Sequence, residues 1–160
     1  MHKQLFLAIA VSMLSLAACT NSASEETNQK KNTSNNSYTN DAIPAKFLGK
    51  WERTFFPVPG KPHKVSYIIT PDSMFYSVSG AMVNANYTLE KDVFDAANNK
   101  FIGHNKAGNY FVAFFKQAGD SISIFKEPIA SKEKGIAFEP PAANYKANHN
   151  QGWNLYGKNN

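Results

Sequence analysis

Few side chains in this 160-residue chain are of types that do chemistry, and Cys19 stands first among them as the only cysteine. A lone thiol cannot close an internal disulfide, and a spare free thiol would be unusual in a secreted chain, which leaves acylation as the use to weigh first. It ends the run Leu16-Ala17-Ala18-Cys19. Downstream, His63, His104 and His149 all lie in turn-like contexts. Three imidazoles can hold zinc when a fold gathers them. No two of them have His-x-His or His-x-x-x-His spacing, so scattered exposed histidines are the expectation. Glu90, Asp92 and Asp95 form a small acidic cluster that could pair as acid and base, but a solvated loop is the expectation. No Gly-x-Ser-x-Gly, P-loop or Gly-x-Gly-x-x-Gly pattern occurs. The expectation is a protein that is not an enzyme, with no cofactor and no metal. A metal-handling or hydrolytic role is the alternative that these histidines and carboxylates would carry.

Cys19 follows an apolar run, residues 5–18, which itself follows His2 and Lys3. That run is shorter than the roughly 20 residues a membrane span needs. A buried core helix fits poorly, because the residues from Thr20 onward are strongly polar. A basic start, about a dozen apolar residues and small residues at a cut site are the layout of a secretory signal peptide. The segment resembles the signal peptides of bacterial lipoproteins, whose lipobox ends in the cysteine that becomes the lipidated N-terminus. The resemblance implies that residues 1–18 are removed and that Cys19 carries palmitate-type acyl chains. Each buried methylene contributes about 0.8 kcal/mol, and stable anchoring takes two chains or signals. Cleavage near Ala17-Ala18 by an ordinary signal peptidase would instead leave a secreted protein with a free thiol. The lipoprotein reading is preferred, since the single cysteine stands where lipidation requires it. It places the protein in the cell envelope. Thr20, rather than Asp, beside Cys19 resembles the sorting pattern for the outer membrane in enteric bacteria. In a source without one, the outer face of the cell membrane is implied.

Residues 19–41 read as a tether. Fourteen of the 22 residues from 20 to 41 are Ser, Thr or Asn, and none is Leu, Ile, Val or Phe. Such a segment buries too little apolar surface to offset its ordering entropy. As a coil it would span roughly 25 Å.

Residues 42–160 are long enough for one domain with its own core. Its stability must come from apolar side chains, mainly aromatic ones, since eleven of the 12 Phe, six of the 7 Tyr and both Trp fall here. Turn signals such as Pro71-Asp72, Ser79-Gly80, Asn98-Asn99, Gly108-Asn109 and Gly119-Asp120 recur at the spacing of antiparallel hairpins. Between them, Val65, Tyr67 and Ile69 share one strand face, and Met74, Tyr76 and Val78 share another. Tyr110, Val112 and Phe114 oppose Phe111, Ala113 and Phe115, so that strand is apolar on both sides and reads as central. Ile122 and Ile124 alternate with Ser121 and Ser123, one face buried and one wet. Trp153 and Leu155 mark a last strand. Residues 41–49 read as a short helical turn, with Asp41 a possible N-cap, Pro44 in its first turn and Gly49 ending it. Ile43 and Phe47 would face inward together. Residues 88–97 fit either a helical stripe or strands around a turn at Lys91-Asp92, and strands are preferred. The expected fold is an all-β antiparallel meander of about eight to ten strands, closing into a small barrel. A sandwich is the other way to cover the edges.

Gly49-Lys50-Trp51, reached through a short turn and Phe47-Leu48, resembles the Gly-x-Trp opening of lipocalin-like (calycin-type) barrels. In that family the Trp closes one barrel end under a basic side chain. The resemblance implies a binding barrel with Gly49, Trp51 and Arg53 at its closure. Arg53 is the only Arg in the chain, so Lys146 or Lys158 could supply the covering charge instead. A ligand-binding barrel would hold a small apolar or amphipathic molecule in a cavity lined by residues such as Phe75, Tyr110, Phe114 and Ile124.

Residues 42–160 carry 14 Lys and Arg against nine Asp and Glu, a net +5. Lys61, Lys64, Lys100, Lys106, Lys116, Lys126, Lys132 and Lys134 sit in or beside expected turns and would gather at the barrel ends. They read as edge-guarding, solubilising charges or as an attraction to anionic envelope polymer or lipid headgroups. Nucleic acid is not an expected partner, because the compartment is wrong and Arg nearly absent. The alternative to a ligand carrier is a structural or interaction lipoprotein that contacts cell wall, envelope protein or host molecule through its outer face. Residues 55–60, Phe55-Phe56-Pro57-Val58-Pro59-Gly60, are the candidate patch.

Overall fold

The computed structural model describes residues 40–81, 83–140, 142 and 152–159. The readings on the signal segment, on Cys19, on most of the tether, on Lys146 and on His149 lie outside the described residues.

Eight antiparallel strands form a closed barrel in simple sequence order. They are β1 (Gly49–Val58), β2 (Lys61–Ile69), β3 (Ser73–Gly80), β4 (Val83–Asp95), β5 (Lys100–His104), β6 (Tyr110–Ala118), β7 (Ser121–Ile129) and β8 (Asn154–Lys158). Pairing of β1 with β8, through Trp51↔Lys158 and Glu52↔Gly157, closes it. This is the all-β meander expected from the turn rhythm, it settles barrel against sandwich, and it is compatible with a lipocalin-like fold. Closure removes the edges an open sheet of this length would expose.

The N-terminal turn is shorter than expected, a single 3-10 turn at Ala45–Phe47 with Pro44 as its cap. Asp41 is not the cap. Its carboxylate accepts from the Ala96 N–H at 3.1 Å, and its own N–H donates to the Phe94 carbonyl at 3.0 Å. Ile43 and Phe47 are both buried, as their spacing implied.

Residues 88–97 are strand, but not around a turn at Lys91-Asp92. β4 runs through to Asp95 with one bulge, since Lys91 pairs with Gly103 and Val93 with Ile102. The extra residue, Asp92, reverses the alternation. Leu89 and Phe94 therefore pack inside the barrel and Val93 outside. That reversal produced the helix-like spacing. The chain turns at residues 96–99 instead, where Asn99 holds φ 48° and Asp95 accepts from the N–H groups of Ala97 and Asn98.

Two apolar cores result. The larger fills one end of the barrel with Phe47, Trp51, Ile69, Met74, Leu89, Phe94, Phe101 and Phe115. The smaller lies outside the barrel wall, where Val112, Phe114 and Phe125 meet Ile129, Ile136, Phe138 and Trp153. A short helix, α1 (Lys132–Ile136), capped by the Ser131 side chain, belongs to this outer layer. It explains why β6 is apolar on both faces, as the sequence implied. Lys100 is buried beneath it and donates to the Ile136 carbonyl at 2.7 Å.

Candidate functional site: a lysine within a ring of aromatics

The barrel end reached by the first residues of β1 is closed. Trp51 is buried and donates from Nε1 to the Phe47 carbonyl at 2.8 Å, pinning the 3-10 turn across the opening. Gly49 has φ 117° where the turn enters β1, a conformation that favours glycine. Lys158 lies over the indole, with Nζ 5.8 Å from the ring centre. Arg53 does not cover Trp51. Its guanidinium lies 4.6 Å from the Phe55 ring centre and 5.6 Å from that of Tyr156, and it donates to Asn154 Oδ1 at 2.7 Å. It thus belongs to the next layer of the interior.

That layer is built by register. Tyr67 of β2 stands opposite Tyr76 of β3, and Tyr76 opposite Tyr87 of β4. All three point inward because they continue the alternation of the buried residues beside them. Ring centres are 5.3 Å apart for Tyr67–Tyr76, 5.0 Å for Tyr76–Tyr87 and 5.3 Å for Tyr87–Phe111. Tyr156 meets Tyr67 edge-on at 5.1 Å. Five rings from five strands form a belt around the bore.

Lys126 of β7 reaches into this belt. Its Nζ is 3.4 Å from the centre of the Tyr76 ring, 4.8 Å from that of Tyr87, and 5.5 Å from those of Tyr67 and Phe111. It is also hydrogen-bonded to the Tyr87 hydroxyl. Aromatic faces favour the ammonium form, but burial dominates and pulls this amine down to about 7. Burial also pushes the Tyr156 phenol up to about 12 and raises Tyr67 and Tyr87 further. At neutral pH the belt is un-ionised, and Lys126 exchanges its proton. The residue is largely but not wholly buried.

Beside the belt the strand ladder has a gap. β4 pairs with β3 from Val83 to Glu90, but with β5 only from Glu90 onward. Among the described residues, the stretch 83–89 has no ladder partner on its second side. There a cleft of about 390 Å³ opens between Phe75, Asn86, Tyr87 and Thr88 on one wall and Asn105, Lys106 and Ala107 on the other. Tyr87 borders both the cleft and Lys126.

Higher in the same bore, His63 is 6% exposed and its Nε2 has no hydrogen-bond partner among the described residues. Its ring meets Phe55 edge-on at 5.5 Å. It packs so closely on Gly80 that a Cβ there would lie 2.2 Å from His63 Cδ2.

The expected cavity residues do not come together. Ile124 is buried inside the barrel. Phe114 belongs to the outer core, and Tyr110, on the same strand face, meets His104 at a tilt outside the wall. Phe75 alternates with inward-facing Met74 and Tyr76 and so faces outward, where it borders the cleft. The histidines separate too, with His63 inward and His104 outward. His104 Nδ1 is 2.7 Å from Asp92 Oδ2, and its Nε2 is 3.9 Å from a Glu90 oxygen. The bond to Asp92 raises the imidazole above its usual range. No group of three metal-ligating side chains occurs among the described residues.

Lys126 is the residue that sequence reading placed wrongly, among the turn lysines. It lies inside β7, and the signal was available: Ile122, Ile124 and Lys126 share one parity, and the first two are core. No described helix is long and apolar enough to cross a membrane. In comparisons with known proteins, no family model, no curated protein and no solved structure matches this chain.

Proposed function

We propose that residues 42–160 are the binding module of an envelope lipoprotein, anchored through acylated Cys19, and that the barrel takes a small apolar or amphipathic ligand at the Tyr belt around Lys126. The observation that carries this reading is Lys126 itself. A core built only for stability gains nothing from an amine among four aromatic rings, because a buried charge without a counter-charge is costly. The cleft bordered by Tyr87 is the entrance this reading assigns to a small molecule, and mixed apolar walls with few polar groups are the usual make-up of such sites. The envelope location and the lipid anchor rest on the lipobox pattern. No catalytic role is assigned.

The test is native followed by denaturing mass spectrometry of the full chain. A small molecule released only on denaturation supports the reading. A bare mass, with no uptake of amphipathic probes, counts against it.

One observation favours a second reading. On β1, beside the β1–β2 hairpin tip, Phe56 is 61% exposed and Val58 38% exposed, while Phe55 packs on the core. An exposed apolar pair with Lys61 and Lys64 close by suits contact with an envelope protein or an anionic envelope polymer. Loss of sedimentation with isolated cell envelopes in Phe56→Ser, with the fold intact, would favour it.

A further inference from the structure

The inward positions of the eight strands have an uneven charge composition. Arg53 and Lys126 point into the bore, with His63 above them. No Asp or Glu does so among the described residues. Each strand acid faces out: Glu52 pairs with Lys50 and Lys64 at 2.9 and 2.8 Å, Glu90 and Asp92 meet His104, Asp95 holds the 96–99 turn, and Glu127 lies opposite outward-facing Val112. From residue 140 to the end the sequence contains no acid at all. Among the described residues, Lys126 therefore has a hydroxyl and ring faces around it, but no carboxylate.

We propose that the ligand of this barrel carries an anionic head, a carboxylate on an apolar chain, which enters beside Tyr87 and pairs with Lys126 while the Tyr87 hydroxyl donates to it. The inference rests on the binding reading above and adds the charge class of the ligand. The chemistry is simple complementarity. An ammonium held among rings loses hydration without gaining a counter-charge, and a carboxylate supplies one. Tyr87 can then turn its hydroxyl from accepting the lysine's bond to donating one to the ligand. The rings of Tyr67, Tyr76 and Phe111 around the amine would meet the apolar chain. A cationic or neutral head would leave the amine as it is and gain only the apolar contact.

The experiment is calorimetric titration of the full chain with octanoate, octan-1-ol and octylammonium at pH 6.5, where both Lys126 and the carboxylate are mainly charged. Octanoate is expected to bind roughly tenfold or more tightly than octanol, the size of effect a charge-assisted hydrogen bond produces. Lys126→Met should bring the two to equal affinity, and Lys126→Arg should keep the preference. If the Lys126 variants do not fold, by circular dichroism, Tyr87→Phe serves instead and should reduce the preference severalfold. Equal affinity for octanoate and octanol in the wild-type chain, tighter binding of octylammonium, or an undiminished octanoate preference in folded Lys126→Met would overturn the assignment while leaving the binding reading standing. Failure of all three probes to bind would remove the binding reading, and the charge assignment with it.

Discussion

Lys126 lies with its ammonium nitrogen 3.4 Å from the centre of the Tyr76 ring, inside a closed barrel and away from every carboxylate described. Burial holds this amine at about 7, against 10.5 in an unstructured chain. The sign of the linkage follows. The unfolded chain binds the proton more readily, so the penalty is full below about 7 and is relieved as pH rises toward 10.5. Urea denaturation should show stability rising between pH 7 and pH 9.5, roughly the interval bounded by the two values. Lys126→Met should flatten that rise and be more stable than wild type at pH 7 by at least about 1 kcal/mol. A variant less stable at pH 7 would contradict the account.

His104 acts in the opposite sense. Its bond to Asp92 raises it above the usual 6.5. The stability it contributes is fully present below 6.5 and disappears as pH rises through the raised value. Because His104 is partly exposed, the effect is small, about 1 kcal/mol or less. A proton NMR titration should place His104 above 6.5, and Asp92→Asn should return it toward that value. A His104 signal titrating below 6.5 would refute the pairing.

Trp51 fastens the closed end. Trp51→Ala removes a fully buried indole and its bond to the Phe47 carbonyl, and should cost about 3–5 kcal/mol. Thermal unfolding by circular dichroism measures it. Phe56→Ser, at an exposed position, should change stability by no more than about 0.5 kcal/mol.

Gly80 is required where His63 passes. A methyl group there would overlap the imidazole, so Gly80→Ala should destabilise by about 1–3 kcal/mol and shift the His63 ring resonances. Unchanged resonances would show that the ring has room to move.

Much of the barrel was legible in residue order, because strands with one wet face declare their period. Tyr67, Tyr76, Ile122 and Ile124 were assigned to shared faces from alternation alone, and all four point inward. Legibility failed where both faces are apolar. In β6, nothing in Tyr110 to Phe115 marks which set looks into the bore, and the set with Phe114 lies under the outer layer. It failed again at Asp92, where one extra residue reverses the parity. Lys126 was hidden for a different reason. A lysine near Pro128 and a turn reads as a surface charge by composition, and only continuation of the parity of Ile122 and Ile124 reveals it. The tyrosine belt depends on the register of three strands, which alternation within one strand does not fix.

The most direct test is NMR of the full chain with its lysines 13C-methylated. One lysine signal, assigned to Lys126 by its loss in Lys126→Met, should titrate near 7 and move upward when octanoate is added. A chain in which every lysine titrates near 10.5, or in which octanoate leaves the Lys126 signal unmoved, would contradict a binding site at this residue.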